Sequence, residues 1–262
     1  MEDMPVSLSA SERQVFDGVY ATDLVYVPDC WKLCGDAHCC SFDRHKARFK
    51  LLARGHFQEL PLLPGEFEYL GERGWLGQFG DFEHRVAEMS IEGGVLRAES
   101  IVSTKAGCPC NHGTRPTICR LYPLLPVFDV HGRLVDVEPV GIYDELEQLA
   151  ALPRACQVSA LPFEQLRRLL SIAAALARSP KILFYLEAYR LTKRHVVAAV
   201  DARRKAGNGD AFAAFEIGMM RRRLIDQDDL RRQLDDLHGR FSTTYGQDFS
   251  LQSSERAADT PQ

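Results

Sequence analysis

From residue 143 onward apolar side chains return every three or four positions, which predicts helices over residues 161–177, 180–205, 210–224 and 227–245. In the second of these Ile182, Tyr185, Leu186, Tyr189, Val196, Val197 and Val200 fall close to one face, as a packed helix requires. Gly207, Asn208 and Gly209 break the pattern between two helices. Nearer the amino terminus, Ser9 or Ser11 can cap a short helix over residues 9–20 that carries Val15, Phe16 and Val19 at helical spacing. Residues 64–73 predict a further helix, with Pro64 in its first turn and acidic residues at the positive end of its dipole.

Between these helices the pattern turns β-rich. Residues 86–91 and 95–102 flank Gly93 and Gly94, and residues 127–130 and 134–137 flank His131 and Gly132, so two hairpins are expected. Residues 23–28 form a smaller β-rich run, and residues 44–53 fit strand and helix equally well. The polar stretch 252–262 predicts a frayed tail. The expected fold is α+β: a turn-rich region over residues 23–140, a helical region over 141–246 packed on it, and a flexible tail over 247–262.

Composition narrows the function classes. With 32 Lys and Arg against 36 Asp and Glu, the net charge of -4 gives no basic face for a nucleic acid, so none is expected as a partner. The longest apolar stretches, residues 171–177 and 182–186, fall far short of the ~20 needed to cross a bilayer. The first residues carry no basic and apolar export signal, so the expectation is a soluble, cytoplasmic protein that does not engage a membrane. No Gly-x-Ser-x-Gly turn and no Walker loop occurs. Arg221, Arg222 and Arg223 followed by Asp226, Asp228 and Asp229 read as charge compensation at facing helix ends.

The chemistry lies in the cysteines. Seven of the eight fall in two short clusters: Cys30, Cys34, Cys39 and Cys40, then Cys108, Cys110 and Cys119. In a reducing compartment such clusters mean metal or redox chemistry more often than disulfides. Converging thiolates suit Zn²⁺ at tetrahedral geometry and equally iron in a sulfide cluster. All seven form the ligand pool, and adjacent Cys39 and Cys40 point apart if the backbone is extended. Cys156, His38 and His112 are further possible ligands. Arg115 and Arg120 flank Cys119 at positions where a guanidinium would offset thiolate charge and donate to sulfur. Tyr122 and Pro123 would shape the turn and cover the site.

These residues resemble the YkgJ-type cysteine-cluster family. The likeness is carried by a first group ending in Cys39 and Cys40, then Cys108 and Pro109, Cys110, and a complete Arg-Pro-x-x-Cys-Arg-x-Tyr-Pro run from Arg115 to Pro123. Leu63, Pro64, Gly65 and Glu66 match a further recurrent stretch of that family. Its members are described as zinc- or iron-chelating proteins or as holding an iron–sulfur cluster, so the resemblance implies a bound metal ion. More distantly the chain is similar to flagellin lysine methylases, although no strand, glycine-rich turn and helix to cradle S-adenosylmethionine is visible. Three functions follow as expectations: a structural or chelating metalloprotein, an iron–sulfur enzyme or electron carrier, and an interaction module whose helical region binds a protein partner on a metal-held platform.

Overall fold

The computed structural model describes residues 8–26, 48–50, 58–105, 110–152, 161–207, 209–221 and 224–251. The fold is mixed α+β. In chain order the elements are α1 (Ala10–Tyr20), β1 (Gln58–Leu62), α2 (Glu66–Glu72), β2 (Phe82–Ile91), β3 (Gly94–Ser103), α3 (Thr117–Leu121), β4 (Leu124–Phe128), β5 (Leu134–Pro139), α4 (Ile142–Leu149), α5 (Phe163–Leu176), α6 (Pro180–Lys205), α7 (Ala211–Met220) and α8 (Gln227–Tyr245). Single 3₁₀ turns lie at Leu76–Phe79, His112–Thr114 and Gly246–Asp248.

Local chemistry sets the helix ends. Ser9 caps α1 by accepting from the Glu12 amide at 3.2 Å, while Glu12 reaches back to the Ser9 amide at 3.0 Å. Ser179 caps α6 ahead of Pro180, Asp210 caps α7, and Asp226 caps α8 through the amides of Asp228 and Asp229. Asp226, Asp228 and Asp229 thus occupy the positive end of α8, while Arg222 and Arg223 lie outside the described residues. Gly65, at φ +83, caps α2, and Pro64 precedes that cap instead of entering the first turn.

Antiparallel β2 and β3 form the first predicted hairpin and are longer than the pattern indicates, running from Phe82↔Ser103 to Ile91↔Gly94. β1 completes a sheet of order β1-β3-β2, with Leu60 opposite Ile101. The second hairpin, β4 with β5, begins three residues earlier than predicted, at Leu124. Two expectations need correction. Residues 23–26 form no strand, since the Leu24 carbonyl and Val25 amide are bonded to side chains, Arg115 and Gln165, and not to a ladder. Residues 142–149, read only as the start of helical character, form a separate helix capped through Asp144.

Packing joins the two halves of the chain. One apolar cluster contains Phe16, Val19, Leu63, Tyr69 and Leu125 together with Ile172, Leu176, Leu183, Phe184, Leu234 and Phe241. Burial of each such side chain contributes about 1.5 to 3 kcal/mol. Residues 182–186 are all buried, so the first turns of α6 run through the interior with neighbours on every side. A second cluster gathers Phe49, Leu146, Val196, Val200, Phe212 and Phe215, and a third gathers Leu60, Leu62, Leu70, Phe79 and Ile101 beneath the sheet. Among the described residues no single helix is long and apolar enough to cross a membrane.

Candidate functional site

The second cysteine cluster is described from Cys110 onward, and its backbone is set by side chains from elsewhere. The Asn111 side chain accepts from the Gly113 amide at 3.2 Å and bends the chain into the 3₁₀ turn. Gln78 holds that turn from outside: its oxygen accepts from the Asn111 amide at 2.9 Å and the Thr114 hydroxyl at 2.8 Å, and its amide donates to the Thr114 carbonyl at 3.1 Å.

Beyond Pro116 the five-residue helix α3 begins, and its free amides meet a buried carboxylate. Both the amide and the hydroxyl of Thr117 donate to Glu66 Oε1 at 2.6 Å, joined by the Tyr20 hydroxyl at 2.7 Å, and the Leu63 amide donates to Oε2 at 3.0 Å. Glu66 is fully buried. Burial raises its carboxyl above the ordinary 4.5, opposed by these hydrogen bonds. The Leu63–Glu66 stretch and the Arg115–Pro123 stretch, far apart in sequence, are therefore one structural unit.

Arg120 closes the unit. It is 1 % exposed, and its guanidinium donates to the Arg115 carbonyl at 3.2 Å, to the Thr22 carbonyl at 3.1 Å and to the Gly113 carbonyl, with its carbon 4.6 Å from the centre of the Tyr20 ring. Arg115 donates to the Leu24 carbonyl at 2.5 Å. Among the described residues the forks of these arginines tie the end of α1 to the cysteine loop, because a planar guanidinium can serve several carbonyls at once, while most of the cysteines to which they were expected to donate lie outside the described residues. Arg115 Nε is buried and has no hydrogen-bond partner among the described residues. Tyr122 ends α3, and its hydroxyl donates to Asp144 at 2.8 Å, fixing the loop to α4.

Two of the predicted ligands, Cys110 and Cys119, are among the described residues. Cys110 and Cys119 are each half-buried and pack against the cluster of Leu60, Leu62, Leu70, Phe79 and Ile101. Cys30, Cys34, Cys39, Cys40 and Cys108, with Cys156 and His38, lie outside the described residues. His112 points Nδ1 toward Asp23 at 3.7 Å. Among the described residues no three His, Cys, Asp or Glu side chains converge on a metal-sized site.

Cys119 also opens on a cleft of about 820 Å³ between the sheet and helices α4, α6 and α7. Glu59, Arg85, Ala87 and Ala98 line its sheet side, and Tyr143, Tyr185, Tyr189 and Phe215 its helical side. The sequence reading missed this cleft. A signal existed in Ala87 and Ala98, which stand opposite each other in the register and leave the sheet surface low where larger side chains would fill it. The strand β1 that supplies Glu59 was missed as well, because Pro61 weakens the pattern of a short edge strand.

No family model matches the chain, and no curated protein or solved structure matches it.

Proposed function

We propose that the chain is a metal-binding protein that holds zinc or iron, an iron–sulfur cluster included, through thiolates drawn from Cys30, Cys34, Cys39, Cys40, Cys108, Cys110 and Cys119. The observation that supports this reading is that Cys110 and Cys119, each half-buried, pack against one apolar cluster at a loop clamped by Arg120 and Glu66. A clamped loop fixes the direction of its thiols, which a ligand set needs. Arg115 beside the loop keeps a buried Nε that meets no described acceptor, a donor that a bound anionic group could use. The motif resemblance from Arg115 to Pro123 supports the same reading.

The test is metal and acid-labile sulfide content, with a visible spectrum, on protein prepared anaerobically without an affinity metal. Zinc without sulfide would identify a structural or chelating site. Iron with matching sulfide and absorption near ~400 nm would identify a cluster. Cys119→Ser and Cys34→Ser should each lower metal content, and unchanged stoichiometry in both would overturn the ligand assignment.

A second reading, an iron–sulfur enzyme or electron carrier remotely similar to flagellin lysine methylases, is favoured by the cleft that opens at Cys119. A metal site with a chamber of that size beside it has room for a reacting molecule. A brown colour that bleaches on addition of a one-electron reductant would support it; a colourless zinc protein would remove it.

A further inference from the structure

The cleft beside Cys119 carries a recognisable wall chemistry. Its volume, about 820 Å³, lies within the range that encloses a small organic molecule. Aromatic rings of Tyr143, Tyr185, Tyr189 and Phe215 form one side. The charged groups are mostly acidic, and the basic side chains among the lining residues are already engaged. Arg85 is gripped by Glu83 through two bonds of 2.9 Å, and His84 Nε2 lies 3.1 Å from Glu99. Glu59 accepts a hydrogen bond from the Ser100 hydroxyl at 2.9 Å and lies within electrostatic reach of Arg85, whose fork is taken by Glu83.

Tyr185 supplies an independent observation. It is 7 % exposed and lines the cleft, yet its hydroxyl has no hydrogen-bond partner among the described residues. The oxygen itself is not among the fully buried atoms, so it opens on the cleft. It marks a place where a polar atom of a bound molecule would sit. Burial, then the carboxylates of Glu66 and Glu99, push this phenol up, and burial followed by Glu59 pushes Tyr143 up to about 12. Both rings therefore stay neutral, as a surface for a cation requires.

We infer that the cleft binds a small organic cation, a protonated amine or quaternary ammonium bearing one hydrogen-bonding group, with its charge against the aromatic wall and Glu59 and that group on Tyr185. The inference stands on the cleft wall and is independent of which metal the cysteines hold.

Choline is a suitable probe, because its neutral isostere 3,3-dimethylbutan-1-ol keeps the shape and the hydroxyl and removes only the charge. Binding to the full-length protein is measured by calorimetry and saturation-transfer resonance. Choline should saturate below about 10 mM and bind at least about tenfold more tightly than the isostere. Glu59→Gln should weaken choline several-fold and leave the isostere unchanged. Tyr185→Phe, which keeps the ring, should weaken both alike and so serves as a second variant if the first misfolds. Equal binding of the two probes, binding of acetate in place of choline, or no saturation by about 50 mM choline would overturn the assignment.

Discussion

Arg120 is the largest fully buried side chain among the described residues, and its position is defined by three carbonyl oxygens and one aromatic ring. A guanidinium can satisfy that set because its donors lie in one plane while its face rests on Tyr20; an ammonium cannot. Arg120→Lys should lower stability by about 2 to 4 kcal/mol, through carbonyls left without donors, read as a drop in the urea midpoint. A change below about 0.5 kcal/mol would mean that the clamp does not hold the loop. Gly93 is a second position with one permitted residue. A Cβ there would overlap the ring of His238, which is itself fixed against Phe184 and Phe249 at centroid distances of 6.1 and 5.3 Å. Gly93→Ala should cost about 1 to 3 kcal/mol by calorimetric melting, since the ring must leave its packed position.

At the scale of elements the central device is the junction of α1, α2 and α3 through Glu66. One carboxylate receives hydrogen bonds from Tyr20 of α1, from Leu63 ahead of α2 and from Thr117 at the start of α3. Its folded-state proton affinity is raised by burial, so the folded chain keeps this proton at pH values where the unfolded chain has lost it. The contribution of Glu66 to stability is therefore complete below the ordinary carboxylate value of 4.5 and declines as pH rises toward the raised value. Glu66→Gln cannot lose a proton, so the gap between wild type and variant should narrow with rising pH in urea titrations from pH 4 to 8. A gap that widened over that range would show that the carboxyl is held ionised instead. The hairpin of β2 and β3 is docked in a comparable way, by the Glu92 amide on Asp235 of α8 at 2.7 Å.

At the scale of the molecule, a shared apolar cluster ties α1, α2 and β4 to α5, α6 and α8, while the cysteine loop rests on a smaller cluster beneath the three-stranded sheet. If metal replaces part of the core that a turn-rich segment cannot bury, its removal should act first on the small cluster. Chelation under anaerobic reducing conditions should raise hydrogen exchange at residues 110–123 and in β1 by about tenfold or more before α6 responds. Simultaneous exchange throughout, or none, would separate the metal from the stability of this region. The central run of α6 is the natural reference, since residues 182–186 are buried on all sides.

Local pattern and turn chemistry were enough for α1, for both hairpins and for the long helices α5, α6, α7 and α8, because each is specified by contacts between residues close in sequence: caps, glycine turns and apolar faces of one period. Cysteine spacing singled out the residues around Cys119, and the family resemblance alone pointed to the stretch from Leu63 to Glu66. Neither could pair them, since the bond from Thr117 to Glu66 spans 51 positions and the one from Arg120 to Thr22 spans 98. β1 exists as a strand through its ladder to β3, and the cleft exists through the facing of a sheet and three helices, neither of which leaves a periodic trace. Helix caps and tight turns follow from short-range sterics and hydrogen bonding; the burial of Glu66 and Arg120, the packing of Cys110 and Cys119 against one apolar cluster, and the chamber beside Cys119 arise only when distant segments close on one another and exclude water.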